Sequence, residues 1–114
     1  MSQIIETVTF KEIPYFESLE TLNHNEVTPC QTYSFPTLDA QLDISNLIAV
    51  KTTQSYSSFN ISKDNIMIVD MKYIPNNDSI IIVKIENEYT VTTYSSDENI
   101  TYLGTIIQLI KELD

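Results

Sequence analysis

Short runs of β-branched residues, separated by clusters of Asn, Asp and Ser, set the pattern of this chain. The densest run, Ile80-Ile81-Ile82-Val83-Lys84-Ile85, favours strand strongly. Glu86-Asn87-Glu88 follows as a turn, and Tyr89-Thr90-Val91-Thr92-Thr93-Tyr94 returns as a second strand, so the two read as a hairpin. Upstream, Ser62-Lys63-Asp64-Asn65 is a turn leading into the apolar strand Ile66-Met67-Ile68-Val69-Asp70, and Leu47-Ile48-Ala49-Val50 is a further strand. Val8-Thr9-Phe10 and Tyr33-Ser34-Phe35 give shorter strand signals near Pro14 and Pro29. Residues 38–42 suggest a short turn of helix. At the far end, Tyr102-Leu103-Gly104-Thr105-Ile106-Ile107 favours strand, and residues 109–113 suggest a frayed helical turn. Short strands and turns with little helix predict a mainly β, small compact domain.

Composition sharpens that reading. The 114 residues fit one domain, and 42% hydrophobic residues, eleven of all residues being aromatic, are enough for a core. No linker or repeat divides the chain. Residues 1–45 read as an N-terminal arm whose strands pack on a core formed by residues 46–114, the whole being one domain. With a single glycine, Gly104, positive backbone φ angles must fall on Asn or Asp, and Asn76-Asn77-Asp78 and Glu86-Asn87-Glu88 are the candidate sites.

Charge excludes several functions. Sixteen Asp and Glu face six Lys and no Arg, a net charge of −10. Phosphate backbones are held by Lys and Arg, so direct nucleic-acid binding is not expected. The acids are spread along the chain, which keeps it soluble and suits a basic partner. One cysteine, Cys30, excludes a disulfide framework and fits a reducing, cytoplasmic setting. The longest apolar run is strand-sized, and the N-terminus lacks the basic start of a secretory signal, so no membrane segment is expected. Without that signal, the Asn-x-Ser/Thr triplets at Asn60, Asn77 and Asn99 are by-products of an Asn-rich composition.

Between residues 46 and 113 the order and spacing of the segments resemble the self-cleaving domain of LexA, UmuD and lambda-type phage repressors. The residues carrying the resemblance are Leu47-Ile48-Ala49-Val50, Gln54-Ser55-Tyr56, Asn65-Ile66-Met67-Ile68-Val69-Asp70, Asn76-Asn77-Asp78, Ile80-Ile81-Ile82-Val83, Glu88-Tyr89-Thr90-Val91-Thr92 and the final strand with Gly104. The likeness implies a LexA/signal-peptidase-like β fold and an origin in a phage or other mobile element. It places Ser55 at the nucleophile position and Thr92 at the position of the catalytic lysine. A serine hydroxyl needs a base to become a useful nucleophile, and threonine is no base near neutral pH. The glycine and methionine that flank the family's serine are Thr53 and Tyr56 here, and the Ala-Gly pair that the family cuts is absent from residues 1–45. No basic helical segment of the helix-turn-helix kind precedes the domain.

What the resemblance leaves is contact with other proteins. The family pairs through its C-terminal strands, which makes Tyr102, Ile106, Ile107 and Ile110 the candidate interface. The expectation is a pseudo-protease acting as a protein-binding module, as homodimer or as heterodimer with a repressor or another LexA-like domain. Two alternatives stand beside it: an acidic DNA mimic that blocks a nuclease or DNA-binding defence complex, and a serine hydrolase with an unconventional base. Other chemistry lacks residues. His24 and Cys30 fall short of a zinc site, one glycine excludes a phosphate loop, and Glu86, Glu88 and the Asp97-Glu98 pair lie in turns too exposed for paired acid–base work. No cofactor or metal is expected.

Overall fold

The computed structural model describes residues 7–23, 31–94 and 100–111. Seven strands run in chain order as β1 (Thr9–Phe16), β2 (Thr32–Thr37), β3 (Leu47–Lys51), β4 (Ile66–Asp70), β5 (Ile80–Ile85), β6 (Glu88–Thr93) and β7 (Thr101–Ile110). Short 3-10 turns occupy Glu20–Asn23 and Ser57–Phe59. The strands form one sheet in the order β2-β1-β3-β4-β7-β5-β6. The protein is mainly β. Neighbours are antiparallel except β1 and β3, which run parallel through Tyr15–Ala49 and Phe16–Val50.

The apolar runs of β3 and β4 lack polar alternation because both faces of the sheet are covered there. Ile48, Val50, Met67 and Val69 enter one core with Ile61, Ile82 and Val91. Their neighbours Leu47, Ala49, Ile66 and Ile68 enter a second core, with Ile13 and Phe35 from β1 and β2. Tyr15 donates its N–H to the Gln31 carbonyl at 3.2 Å, so odd residues of β1 bond toward β2. Pro14, an even residue, therefore costs that ladder no hydrogen bond.

β7 is the spine of the sheet. Its second half pairs with β4, from Ile110–Ile66 to Thr105–Asp70, and its first half pairs with β5, from Thr105–Ile81 to Thr101–Lys84. Each ladder shifts register once, leaving Ile107 and Leu103 as extra residues, and such bulges bend a strand. Between them sits Gly104. A Cβ there would lie 2.6 Å from Val69 Cγ1 and 3.0 Å from the Asp70 carbonyl oxygen, so β4 can close on β7 only against a residue without a side chain. Since β4 and β5 both run antiparallel to β7, residues 71–79 must cross from one side of it to the other. The Tyr102 hydroxyl fastens this crossing by donating to the Tyr73 carbonyl at 2.7 Å, with Thr105 Oγ1 2.5 Å from the same hydroxyl.

Turns and ends differ in part from expectation. Glu86 and Asn87 form a two-residue hairpin loop with φ of 51° and 69°, the pair of positive values a type I′ turn demands, so positive φ is not confined to Asn and Asp as expected but falls on a glutamate too. Asn76-Asn77-Asp78, expected to use positive φ, does not. Its turn is closed instead by the Asp78 N–H on Asn76 Oδ1 (2.9 Å) and the Asn76 N–H on Ser79 Oγ (3.0 Å). Positive φ falls on Asn60 and Asp64. The helical turn expected at residues 109–113 is corrected over its first two residues: Leu109 pairs with Met67 and Ile110 with Ile66, because β4 offers them a ladder and core to join. Residues 112–114 lie outside the described residues. Around residues 38–42 the chain makes a turn, not helix, held by the Gln41 N–H on Asp39 Oδ1 at 2.9 Å.

Candidate functional site: a cleft beside Ser55

The segment joining β3 to β4 carries Ser55 and is closed at its base by two buried polar residues. Thr52 exchanges backbone bonds with Asn65 and Asp64, both at 2.9 Å. Its hydroxyl donates to the Ser62 carbonyl at 2.6 Å and accepts the Asn65 N–H at 3.0 Å, while Asn65 Oδ1 accepts the Ser62 N–H at 2.9 Å. Farther out, Tyr56 and Ile61 bond reciprocally through their backbones at 2.7 and 3.2 Å, and Asn60 turns the chain at φ 57°. Tyr56, Phe59 and Ile61 pack on the first core, which fixes the segment against the sheet. Ser55 is exposed, and its Oγ accepts the Lys63 N–H at 3.1 Å. Lys51 Nζ and Asp64 Oδ1 lie 3.9 Å apart nearby.

A cleft of about 470 Å³ opens at Gln54 and Tyr56, the neighbours of Ser55 in the chain, while Ser55 itself is not part of its lining. Its walls come from three distant stretches: Leu19 and Glu20 at the first 3-10 turn, Gln54 and Tyr56 from the β3–β4 segment, and Glu88 and Tyr89 from the β5–β6 hairpin. Ser18 starts that turn by accepting the Thr21 N–H on its side chain at 3.3 Å, and Leu19 and Leu22 hold it on the first core. Gln54 Nε2 donates to the Tyr56 hydroxyl at 2.9 Å. Lys84 Nζ stands 5.4 Å from the Tyr89 ring centroid, across the strand pair.

Thr92 lies on β6, the strand that carries Glu88 and Tyr89, and is paired with Ile81. The β5–β6 ladder is regular, so side chains alternate faces. Val91 and Tyr89 belong to the first core's face, and Thr92 therefore leaves from the opposite one. The strand's contribution to the cleft is Tyr89 and Glu88, not Thr92.

The four candidate interface residues divide. Ile106 packs on the first core and Ile110 on the second, both half-buried. Tyr102 is 37% exposed, with its hydroxyl engaged in the crossing, and Ile107 is 43% exposed at its bulge. On the side of β7 away from β4, no described strand pairs beyond Thr105, so the backbone from Ile106 to Ile110 forms an open edge among the described residues.

Two carboxylates are held below their usual range, both away from the cleft. Hydrogen bonds from Ser34 and then Thr32 lower Glu12, and side-chain and backbone bonds from Ser45 lower Asp43. Among the described residues no group of three or more His, Cys, Asp and Glu could hold a metal, and no helix is long and apolar enough to cross a membrane. His24, Cys30 and Asp97-Glu98 lie outside the described residues. No family model, curated protein or solved structure matches the chain.

Proposed function

We propose that this chain is a catalytically inactive LexA-like domain that works by pairing, either with a second copy of itself or with a similarly folded regulator such as a repressor. The observation that carries the reading is the open half of β7. An unpaired strand edge is a template for another strand, and here it carries an exposed isoleucine at its bulge. The absence of catalysis is supported by Thr92, which stands at the lysine position with no basic group and leaves β6 on the face opposite Val91 and Tyr89. The single cysteine and the family likeness support action in the cytoplasm, encoded by a phage or other mobile element.

Two experiments test this. The purified chain, held at alkaline pH and followed by mass spectrometry, keeps its full mass; a fragment that disappears on Ser55→Ala would show a working hydrolase. Light scattering gives a dimer for the wild type and a monomer for Ile107→Asp with unchanged circular dichroism. A DNA-mimic function would instead show as partner binding that duplex DNA displaces and that weakens steeply with salt.

A further inference from the structure

The cleft walls are rich in groups that attract a cation. Glu20 and Glu88 contribute carboxylates from two separate stretches of the chain, and neither carboxylate has a hydrogen bond or ion pair among the described residues, whose one ion pair is Lys51–Asp64. Because Gln54 spends an N–H on Tyr56, its carbonyl oxygen is left as an acceptor. Two tyrosine rings, Tyr56 and Tyr89, complete the walls, and Tyr89 already takes a cation in the fold, the Lys84 ammonium. Leu19 supplies apolar surface against which the stem of a long basic side chain can lie.

We infer that the cleft binds an arginine-bearing segment of a protein partner. Arginine fits better than lysine, since its planar head can stack on a tyrosine while its several N–H groups reach more than one carboxylate. The net charge of −10 draws such a segment in from a distance. This proposal rests on the reading of the chain as a protein-binding module. It uses a surface separate from β7, so pairing and cleft binding can fail independently.

The test uses the full chain, labelled with nitrogen-15 and carrying Ile107→Asp so that pairing does not interfere. The probe is the capped peptide Gly-Arg-Arg-Gly, compared with the same peptide carrying neutral citrulline for arginine. The expected result is chemical-shift change at the amides of residues 19–20, 54–56 and 88–89, with no response to citrulline. The double change Glu20→Gln and Glu88→Gln should weaken binding about tenfold, near the limit of what two exposed charge pairs supply. Asp39→Asn with Asp78→Asn removes the same charge elsewhere and should change affinity less than about twofold. Equal weakening by both pairs would reduce the effect to general attraction by an acidic protein and overturn the proposal. So would shifts confined to other regions, or equal binding of the citrulline peptide.

Discussion

Replacing Thr52 by valine isolates the hydroxyl that closes the base of the Ser55 segment. Valine keeps the shape and the β-branching, so the first-order change is the loss of one oxygen. Thr52 is 2% exposed and Asn65 6% exposed, so the Asn65 N–H, now shared between that oxygen at 3.0 Å and the Ser62 carbonyl at 3.2 Å, would keep only the longer of its two bonds, away from water. Because the donor keeps one partner, the cost is that of a typical hydrogen bond, roughly 0.5–1.5 kcal/mol, and not that of an orphaned group. The Ser62 carbonyl also loses its 2.6 Å bond, but Ser62 is exposed and water can replace the hydroxyl. The expected loss is therefore about 1 kcal/mol, a modest part of the roughly 6–17 kcal/mol typical for a domain this long and not enough to unfold it. Urea unfolding followed by circular dichroism should show a lower midpoint with an unchanged slope. Amide exchange should be faster at Asn65, whereas Thr52→Ser, which restores the oxygen, should recover most of the loss. If Thr52→Val stays within about 0.5 kcal/mol of the wild type, or if serine does as much harm as valine, the hydroxyl is not what closes the segment.

Gly104→Ala should cost about 2 kcal/mol, the usual penalty for overpacking offset slightly by a stiffer unfolded chain. Two of its contacts are backbone, the Asp70 oxygen at 3.0 Å and the Met71 Cα at 3.2 Å, which cannot swing aside; an alanine variant melting at or above the wild-type temperature would refute this packing. Tyr102→Phe removes only the hydroxyl that fastens residues 71–79 across β7, and should cost about 1 kcal/mol while speeding amide exchange in that crossing. Unchanged exchange there would mean that packing and the Thr105 hydroxyl, 3.3 Å from the same Tyr73 carbonyl, hold the crossing without it.

The sequence reveals the central strands and hides what assembles around them. β3, β4, β5 and β6 are legible because Ile48, Met67, Ile82 and Val91 sit in dense apolar or alternating runs that no other local structure would satisfy. β1 and β2 show only fragments of themselves, Val8-Thr9-Phe10 and Tyr33-Ser34-Phe35, because they lie at the margin of the sheet and carry Pro14 and Pro36. Leu109 and Ile110 look helical beside Lys111 and Glu112, and only the long-range ladder to Met67 and Ile66 makes them strand. The cleft is less legible still. Ser55 is marked only by its place between the apolar runs of β3 and β4, its immediate neighbours being Gln54 and Tyr56, and nothing local says that Leu19 and Glu20 come to rest near Tyr89. The available signal was Ser18, whose side chain caps the turn that carries them. Thr92 illustrates the limit of reading by position: its place in the strand is clear, while the face it occupies follows from the ladder with β5.

The pairing of β7 is tested most directly by hydrogen exchange at its own backbone. Amides between Ile106 and Ile110 that do not bond to β4 have no partner in the single chain among the described residues, and should exchange quickly in dilute protein. If a second chain adds to this edge, their exchange slows as concentration rises, and Ile107→Asp abolishes the slowing without altering the amides bonded to β4. Exchange at these amides that is independent of concentration, and identical in wild type and Ile107→Asp, would contradict pairing through β7.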